Sequence, residues 1–165
     1  MKLWRDLTPP IVPIKLIAQH INHGQAIAPP EGAGGAARTI AIGAEENASS
    51  IILDDDGLRI TMFNVDHDPI RPAVGYRFDY EGRAAVISGD TAYSASIAEH
   101  AKGADILAHE GLQPALVALI NKKANANGRD IIATITDDIL DYHATPEEAA
   151  EVASRAGVSH LVFII

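Results

Sequence analysis

Residues 75–94 read GYRFDYEGRAAVISGDTAYS, and this stretch decides the fold. The apolar patterns of residues 74–80 and 83–88 predict two strands, and Glu81-Gly82 between them predicts a hairpin turn. The second strand has four apolar residues in a row, which is typical of a strand covered on both faces. Gly89-Asp90-Thr91 then predicts a loop at the carboxyl end of a buried strand, where α/β proteins place their sites.

The flanking sequence extends this pattern in both directions. Upstream, residues 51–54 and 58–65 predict another hairpin around Asp56-Gly57. The downstream elements are a short helix from Ser94 to near Gly103, a strand at 104–108, a helix at 112–123, a helix from Thr145 to Gly157 and a strand at 158–165. Thr145-Pro146-Glu147-Glu148 has the residues of a capping box, which marks the start of that last helix. The chain is therefore predicted to be α/β (α+β) with a mixed sheet.

The amino-terminal part is the least regular. Five prolines and a Gly/Ala-rich run interrupt residues 1–50, so we predict an irregular segment with one short helix at 14–21. At 165 residues the chain has the length of a single domain, of which residues 51–165 form the regular part.

Composition excludes several classes of function. The chain has no cysteine, which rules out disulfides, thiol nucleophiles and cysteine zinc sites. A net charge of −9 predicts that no nucleic acid is bound and that anionic membrane surfaces are avoided. No signal peptide and no run of about 18 apolar residues occurs, so we expect a soluble, cytoplasmic protein.

Four short segments carry candidate chemistry. Asp90 follows a buried strand and could bind cations, although a turn or N-cap role is the alternative. Asp66-His67-Asp68 offers metal ligands, with a solvated turn as the alternative. His109-Glu110 could orient another catalytic group, or be an ordinary polar pair at a strand end. His143 could be a general acid, or a hydrogen-bonded histidine before a helix.

These segments occur in an order that resembles a known family. The runs 65–78 (VDHDPIRPAVGYRF), 75–94, 102–111 (KGADILAHEG) and 142–163 (YHATPEEAAEVASRAGVSHLVF) look like the carboxy-terminal half of a metallo-β-lactamase-fold hydrolase. The branch is that of ribonuclease Z and the arylsulfatase-like enzymes. The resemblance covers about residues 51–164.

The resemblance implies roles for individual residues. Asp90 would bridge metal ions, His109 and Glu110 would support the catalytic histidine, and His143 would donate a proton to the leaving group. The implied substrate-binding residues are His67, Tyr76 and Arg77, and the candidate ligands for Zn or Mn are Asp90, Asp66, His67 and Asp68. The family motif H-x-H-x-D-H and the final histidine ligand are missing from this sequence, so a metal-free site is the alternative.

The implied fold is half of an αββα sandwich, with a mixed sheet and helices on one face. The other face would be apolar and uncovered, and we expect a homodimer to complete it.

Three functions follow from these expectations. The first is a minimal hydrolase of small phosphate or related esters, of the phosphodiester or phosphotriester class, with a small-molecule substrate. The second is a truncated fragment without catalysis that acts only as a folded dimer. The third is an RNA-processing nuclease like ribonuclease Z, which the net charge disfavours.

Overall fold

The computed structural model describes residues 39–164. The strands are β1 (Ser49–Asp55), β2 (Leu58–Asn64), β3 (Val74–Tyr80), β4 (Arg83–Ile87), β5 (Ile106–Glu110) and β6 (His160–Ile164). The helices are α1 (Ala95–His100), α2 (Pro114–Ala126), α3 (Asp130–Asp138) and α4 (Pro146–Ala156), with a 3-10 helix at Ile139–Asp141 between α3 and α4. The predicted helix at 14–21, and the segment up to residue 38, lie outside the described residues.

All six strands form one sheet in chain order, β1 to β6. The first four strands pair antiparallel, and β4, β5 and β6 are parallel. Two tight turns make the hairpins: Asp56 and Gly57 have φ of 48° and 79°, and Glu81 and Gly82 have φ of 48° and 77°. Positive φ at both central residues is the geometry that matches strand twist. The predicted mixed sheet is confirmed.

One face of the sheet carries the hydrophobic core. Alternate residues of β4 and β5, including Val86 and Leu107, point to this face and are fully buried. They pack with Ile97 of α1 and Val152 of α4, which are also fully buried. We call this side the covered face. The helices α1 and α4 thus lie on one side of the sheet, as the sequence predicts.

The opposite side, called here the open face, is apolar but exposed. Ile87, Ile106 and Val162 alternate with the core residues and remain 38%, 43% and 47% exposed. An apolar surface of this kind is typical of an interface. The homodimer that the sequence predicts as its cover stays a prediction, because the structure contains one chain.

The remaining helices differ from the sequence-based prediction. The helix predicted at 112–123 is α2, which begins at Pro114 and continues to Ala126. The sequence predicts no helix or strand over residues 130–138, which form α3. The β-branched Ile and Thr residues of α3 weaken its helix signal, whereas packing against α2 supplies the stability. We call α2 and α3 together the helical hairpin.

The caps of α4 agree with the sequence. Thr145 Oγ1 accepts from Glu148 N at 3.2 Å, and Glu148 Oε2 accepts from Thr145 N at 2.8 Å. Gly157, at φ 66°, ends the helix in the left-handed conformation that suits glycine.

The sheet begins slightly earlier than predicted, because β1 starts at Ser49 rather than at residue 51. The turn before it is tied to β2, since Asn64 Nδ2 donates to the carbonyls of Gly43 and Glu45 at 2.7 and 2.8 Å. Among residues 39–164, none of the helices is both long and apolar enough to cross a lipid bilayer.

Candidate active site at the ends of the parallel strands

The carboxyl ends of β4, β5 and β6 meet at one edge of the sheet, and a cavity of about 380 Å³ opens there. Parallel strands bring the loops that follow them together at such an edge. The lining residues are Gly89, Asp90, Glu110, Gly111, Leu112, His143 and Ile164. Three of the predicted site residues, Asp90, Glu110 and His143, therefore share one cavity.

His67 joins them from the loop between β2 and β3. Its Nε2 lies 3.2 Å from Asp90 Oδ2, and the Nδ1 of His143 lies 3.0 Å from Asp90 Oδ1. The two imidazole rings meet edge to face, with centroids 5.6 Å apart. One donor atom from each of these three side chains lies within 4.8 Å of the others, which is close enough for a shared cation.

Glu110 fixes the orientation of His143. Its Oε2 lies 2.7 Å from His143 Nδ1, and its Oε1 accepts the backbone N–H of Thr91 at 2.5 Å. A carboxylate accepts hydrogen bonds only, so the proton of a neutral His143 sits on Nδ1 and leaves Nε2 free for other chemistry. The Glu110 side chain is 14% exposed and that of Asp90 is 64% exposed. Glu110 is thus held in place, whereas Asp90 faces solvent.

Thr91 ties the site loops to one another, and sequence reasoning assigned it no role. The side chain is fully buried, and its Oγ1 lies 2.8 Å from the carbonyl oxygen of Asp66. The Thr91 carbonyl accepts from Ala144 N at 2.8 Å. These bonds join the loops of His67, Asp90 and His143. Nothing in the Gly-Asp-Thr sequence identifies such partners, because they lie in other segments.

Gly89 is required by the close approach of a neighbouring strand. Its φ is 74°, and a Cβ at this position would collide with the carbonyl oxygen of Val74. The preceding Ser88 is fully buried; its Oγ donates to Gly89 O at 2.7 Å and accepts from Glu110 N at 3.1 Å. The backbone at Asp90 is therefore positioned by both neighbouring strands.

His109 lies beneath the cavity and does not line it. The side chain is fully buried on the covered face, and Nδ1 is bonded to the Glu110 carbonyl at 2.8 Å. Burial lowers the pKa of His109, because the charged imidazolium loses its hydration. Its Nε2 has no hydrogen-bond partner among the described residues. His109 thus contacts the backbone of Glu110 from below the cavity.

The predicted metal ligands Asp66 and Asp68 do not join the cluster. Asp68 forms an ion pair with Arg71, Oδ1 to Nε at 2.6 Å, and this hydrogen bond lowers the pKa of Asp68. Asp66 Oδ1 accepts the backbone N–H of Asp68 at 3.2 Å, a local turn contact. Both carboxylates are used within their loop, and His143 is the third donor of the cluster instead.

Two predicted substrate-binding residues also lie elsewhere. Arg77 bonds Asp79 at 2.8 Å and donates to the carbonyl oxygen of His100 at 2.7 Å, so its guanidinium ties β3 to the end of α1. Tyr76 alternates with Arg77 along β3 and points to the open face beside Phe78. Neither side chain lines the cavity.

Tyr142 is a further residue of the site that sequence reasoning did not use. Its ring lies 5.3 Å from that of His67 and 5.1 Å from that of His143, centroid to centroid. The hydroxyl donates to Asp138 Oδ2 at 3.0 Å, and desolvation together with this carboxylate raises the pKa of Tyr142. Its position next to His143 in sequence was the available signal.

Comparison with known proteins identifies relatives of this chain. The profile of the β-lactamase superfamily domain matches residues 5–164. Ribonuclease Z of Mycobacterium avium (strain 104) is 36% identical over 126 residues, 74% of this chain and 40% of that protein. Ribonuclease Z of Mycobacterium marinum (strain ATCC BAA-535 / M) is 35% identical over 121 residues, 71% of this chain and 38% of that protein.

A solved structure shares the fold. The crystal structure of human tRNase Z, short form, superposes with a TM-score of 0.54 at 25% identity, covering 76% of this chain and 42% of that one. The chain spans about two fifths of the length of the curated relatives it matches.

These relatives correct one expectation. The prediction of a small-molecule ester as the substrate, and of no nucleic-acid partner, is wrong, because the relatives are named as nucleases of RNA. Net charge sums the whole surface and does not report the electrostatic potential at one cleft, so a total of −9 is not evidence against a nucleic-acid partner. The chain belongs to the metallo-β-lactamase superfamily and is homologous to ribonuclease Z.

Proposed function

We propose that the chain provides a cation-dependent hydrolase site for phosphodiester bonds in RNA. The observation that carries the proposal is the meeting of His67, Asp90 and His143 in a cleft at the ends of parallel strands, with Glu110 behind His143. Homology to ribonuclease Z supports RNA as the substrate class. Because the chain spans about two fifths of those relatives, the assignment rests on the site itself.

The donor set fits one divalent cation. Imidazole and carboxylate are common zinc ligands. His67 and Asp90 would hold the ion, while His143, whose donor atom lies within 4.8 Å of theirs, is kept for proton transfer. When bound, a divalent cation supplies charge neutralisation at phosphoryl oxygens and acidifies water.

His143 is assigned the proton transfer to the leaving oxygen. It lines the cleft, and Glu110 accepts its Nδ1–H, so the proton given to the leaving oxygen is the one that the imidazolium form carries on Nε2. Histidine exchanges protons near neutral pH, which suits a general acid. Thr91 and His109 position Glu110 through its Oε1 and its backbone carbonyl respectively.

Cleavage of a labelled RNA hairpin with a single-stranded 3′ extension tests the proposal. Turnover is expected with added Zn²⁺ or Mn²⁺ and is abolished by a chelator. His143→Ala should lower turnover by about 10²- to 10⁴-fold. The matched control His160→Ala, at an exposed histidine that starts β6, should leave turnover unchanged.

Two results decide against the proposal. Absence of RNA cleavage under all metal conditions contradicts the function and favours a chain without catalysis. Loss of bound zinc in His143→Ala contradicts the assigned proton transfer and makes His143 a ligand.

A further inference from the structure

The helical hairpin is attached to the active site at both of its ends. Its first helix, α2, begins three residues after Gly111, and the 3-10 helix that follows α3 ends at Asp141, two residues before His143. Leu112 N donates to the Ala144 carbonyl at 2.8 Å and closes the base. A helix of 13 residues rises 1.5 Å per residue, so the tip lies about 20 Å from the base.

The tip carries unpaired positive charge. Lys122, Lys123 and Arg129 are exposed and have no carboxylate within ion-pair distance among residues 39–164. The other Lys and Arg side chains of the described residues are all in ion pairs, namely Arg59, Arg71, Arg77, Arg83, Lys102 and Arg155. In a chain of net charge −9, free cations gathered at one place mark a surface for an anion.

Two of the three cations share a cavity. Lys123 and Arg129 line a space of about 710 Å³ whose other walls include Leu119, Ile120 and Ile132. Exposed lysine and arginine beside apolar surface can bind a phosphate while a base or ribose contacts the apolar wall. The adjacent Asp130 lies in the first turn of α3, where the helix dipole offsets its charge.

The two helices that carry these cations are joined by side-chain hydrogen bonds. Asn121 Nδ2 bridges the two helices, with the Ala133 carbonyl at 2.9 Å, Thr136 Oγ1 at 3.0 Å and Asp137 Oδ1 at 2.9 Å. Thr136 is buried between the helices. The cations are thus presented by a fixed hairpin, which lowers the entropy cost of binding an extended ligand.

We propose that Lys122, Lys123 and Arg129 form a second contact for the RNA backbone, separate from the cleft. This inference rests on the proposed function, because the cleft and the tip are joined by one rigid hairpin. Lys122 and Lys123 lie about 12–14 Å along α2 from its base, and Arg129 beyond its end lies about 20 Å away. These separations exceed the reach of a single nucleotide and require a polyanion with phosphates at both places. RNA fits that requirement and the site chemistry together.

Binding of a fluorescein-labelled RNA hairpin with a 3′ extension, followed by anisotropy, tests the inference. The binding is measured with the full chain carrying Asp90→Asn, so that cleavage does not interfere. Adding Lys122→Gln, Lys123→Gln and Arg129→Gln should raise Kd about 10-fold or more and reduce the salt dependence by about one phosphate contact per cation removed.

A matched triple change provides the control. Arg59→Gln, Arg83→Gln and Lys102→Gln remove the same charge from ion-paired positions elsewhere and should alter Kd less than about 2-fold. Circular dichroism of each variant verifies folding. In a chain with Asp90 intact, the tip variant should cleave a dinucleotide RNA at the unaltered rate, because that substrate is too short to reach the tip.

Three outcomes overturn the inference: equal loss of binding in both triple variants, unchanged binding in the tip variant, or binding of phosphatidylglycerol vesicles without binding of RNA. Failure of the proposed function has a different signature, since RNA binding at the tip would persist while cleavage is absent from the chain with Asp90 intact.

Discussion

The two faces of the sheet are built from the same strands and differ in what lies against them. On β5, Leu107 is fully buried beneath the helices, whereas its neighbour Ile106 points the other way and is 43% exposed. Both are large aliphatic residues, so hydrophobicity alone does not distinguish them. The covered face supplies the stability of the fold and anchors the site loops, and the open face is apolar surface that contributes little in the isolated chain.

Truncation at these neighbouring positions gives the largest contrast. Leu107→Ala should lower the free energy of unfolding by about 2–5 kcal/mol, because it leaves a cavity in the core. Ile106→Ala should cost less than about 1 kcal/mol, because the side chain keeps much of its contact with water. Urea denaturation of both variants measures the difference.

Equal losses in the free energy of unfolding at the two positions would contradict the difference between the covered and open faces. A large cost for Ile106→Ala would mean that the open face is packed against something in solution, and the dependence of that cost on protein concentration would show whether a second copy covers it.

The amino-terminal caps of α4 and α1, the two helices on the covered face, provide a second comparison. Thr145→Ala removes the capping box of α4 and should cost about 1 kcal/mol, within a range of roughly 0.5–2. Ser94→Ala at the start of α1 should cost close to nothing, because Ser94 makes no side-chain cap bond and its buried Oγ has no partner among the described residues. Thermal unfolding of the pair checks this, and a costlier Ser94→Ala would refute the assignment.

The smallest effect is the pH dependence due to His109. Burial lowers the pKa of this histidine in the folded chain, so below about pH 6.5 the unfolded chain takes up a proton that the folded chain excludes. The contribution of His109 to the free energy of unfolding is therefore present above about pH 6.5 and is lost as the pH decreases. The loss between pH 7 and pH 6 should be less than about 1 kcal/mol. Unfolding midpoints of the wild type and His109→Gln measure it, and the variant should have the shallower slope. Identical slopes would show that His109 does not contribute.

Local signals predicted the strands and α4 well, because each depends on residues close in sequence. The Asp56-Gly57 and Glu81-Gly82 turns and the Thr145 capping box are examples. The helix α3 was missed, because its stability comes from α2 and not from its own Ile- and Thr-rich sequence.

The site was predicted in part for the same reason. Asp90, Glu110 and His143 follow or precede recognisable elements, so their meeting at the strand ends could be expected. Arg77 could not be placed, because its partners are the Asp79 carboxylate and carbonyls at the end of α1, whose positions depend on packing. The role of Thr91 depends in the same way on contacts between segments far apart in sequence.

Zinc binding by the full chain tests the central claim most directly. Equilibrium dialysis followed by elemental analysis should find one zinc per chain in the wild type and in Asp68→Asn, whose carboxylate pairs with Arg71 outside the cluster. Asp90→Asn should lose that zinc, because Asp90 supplies the carboxylate between His67 and His143. Zinc retained in Asp90→Asn, or absent from the wild type, would contradict the account.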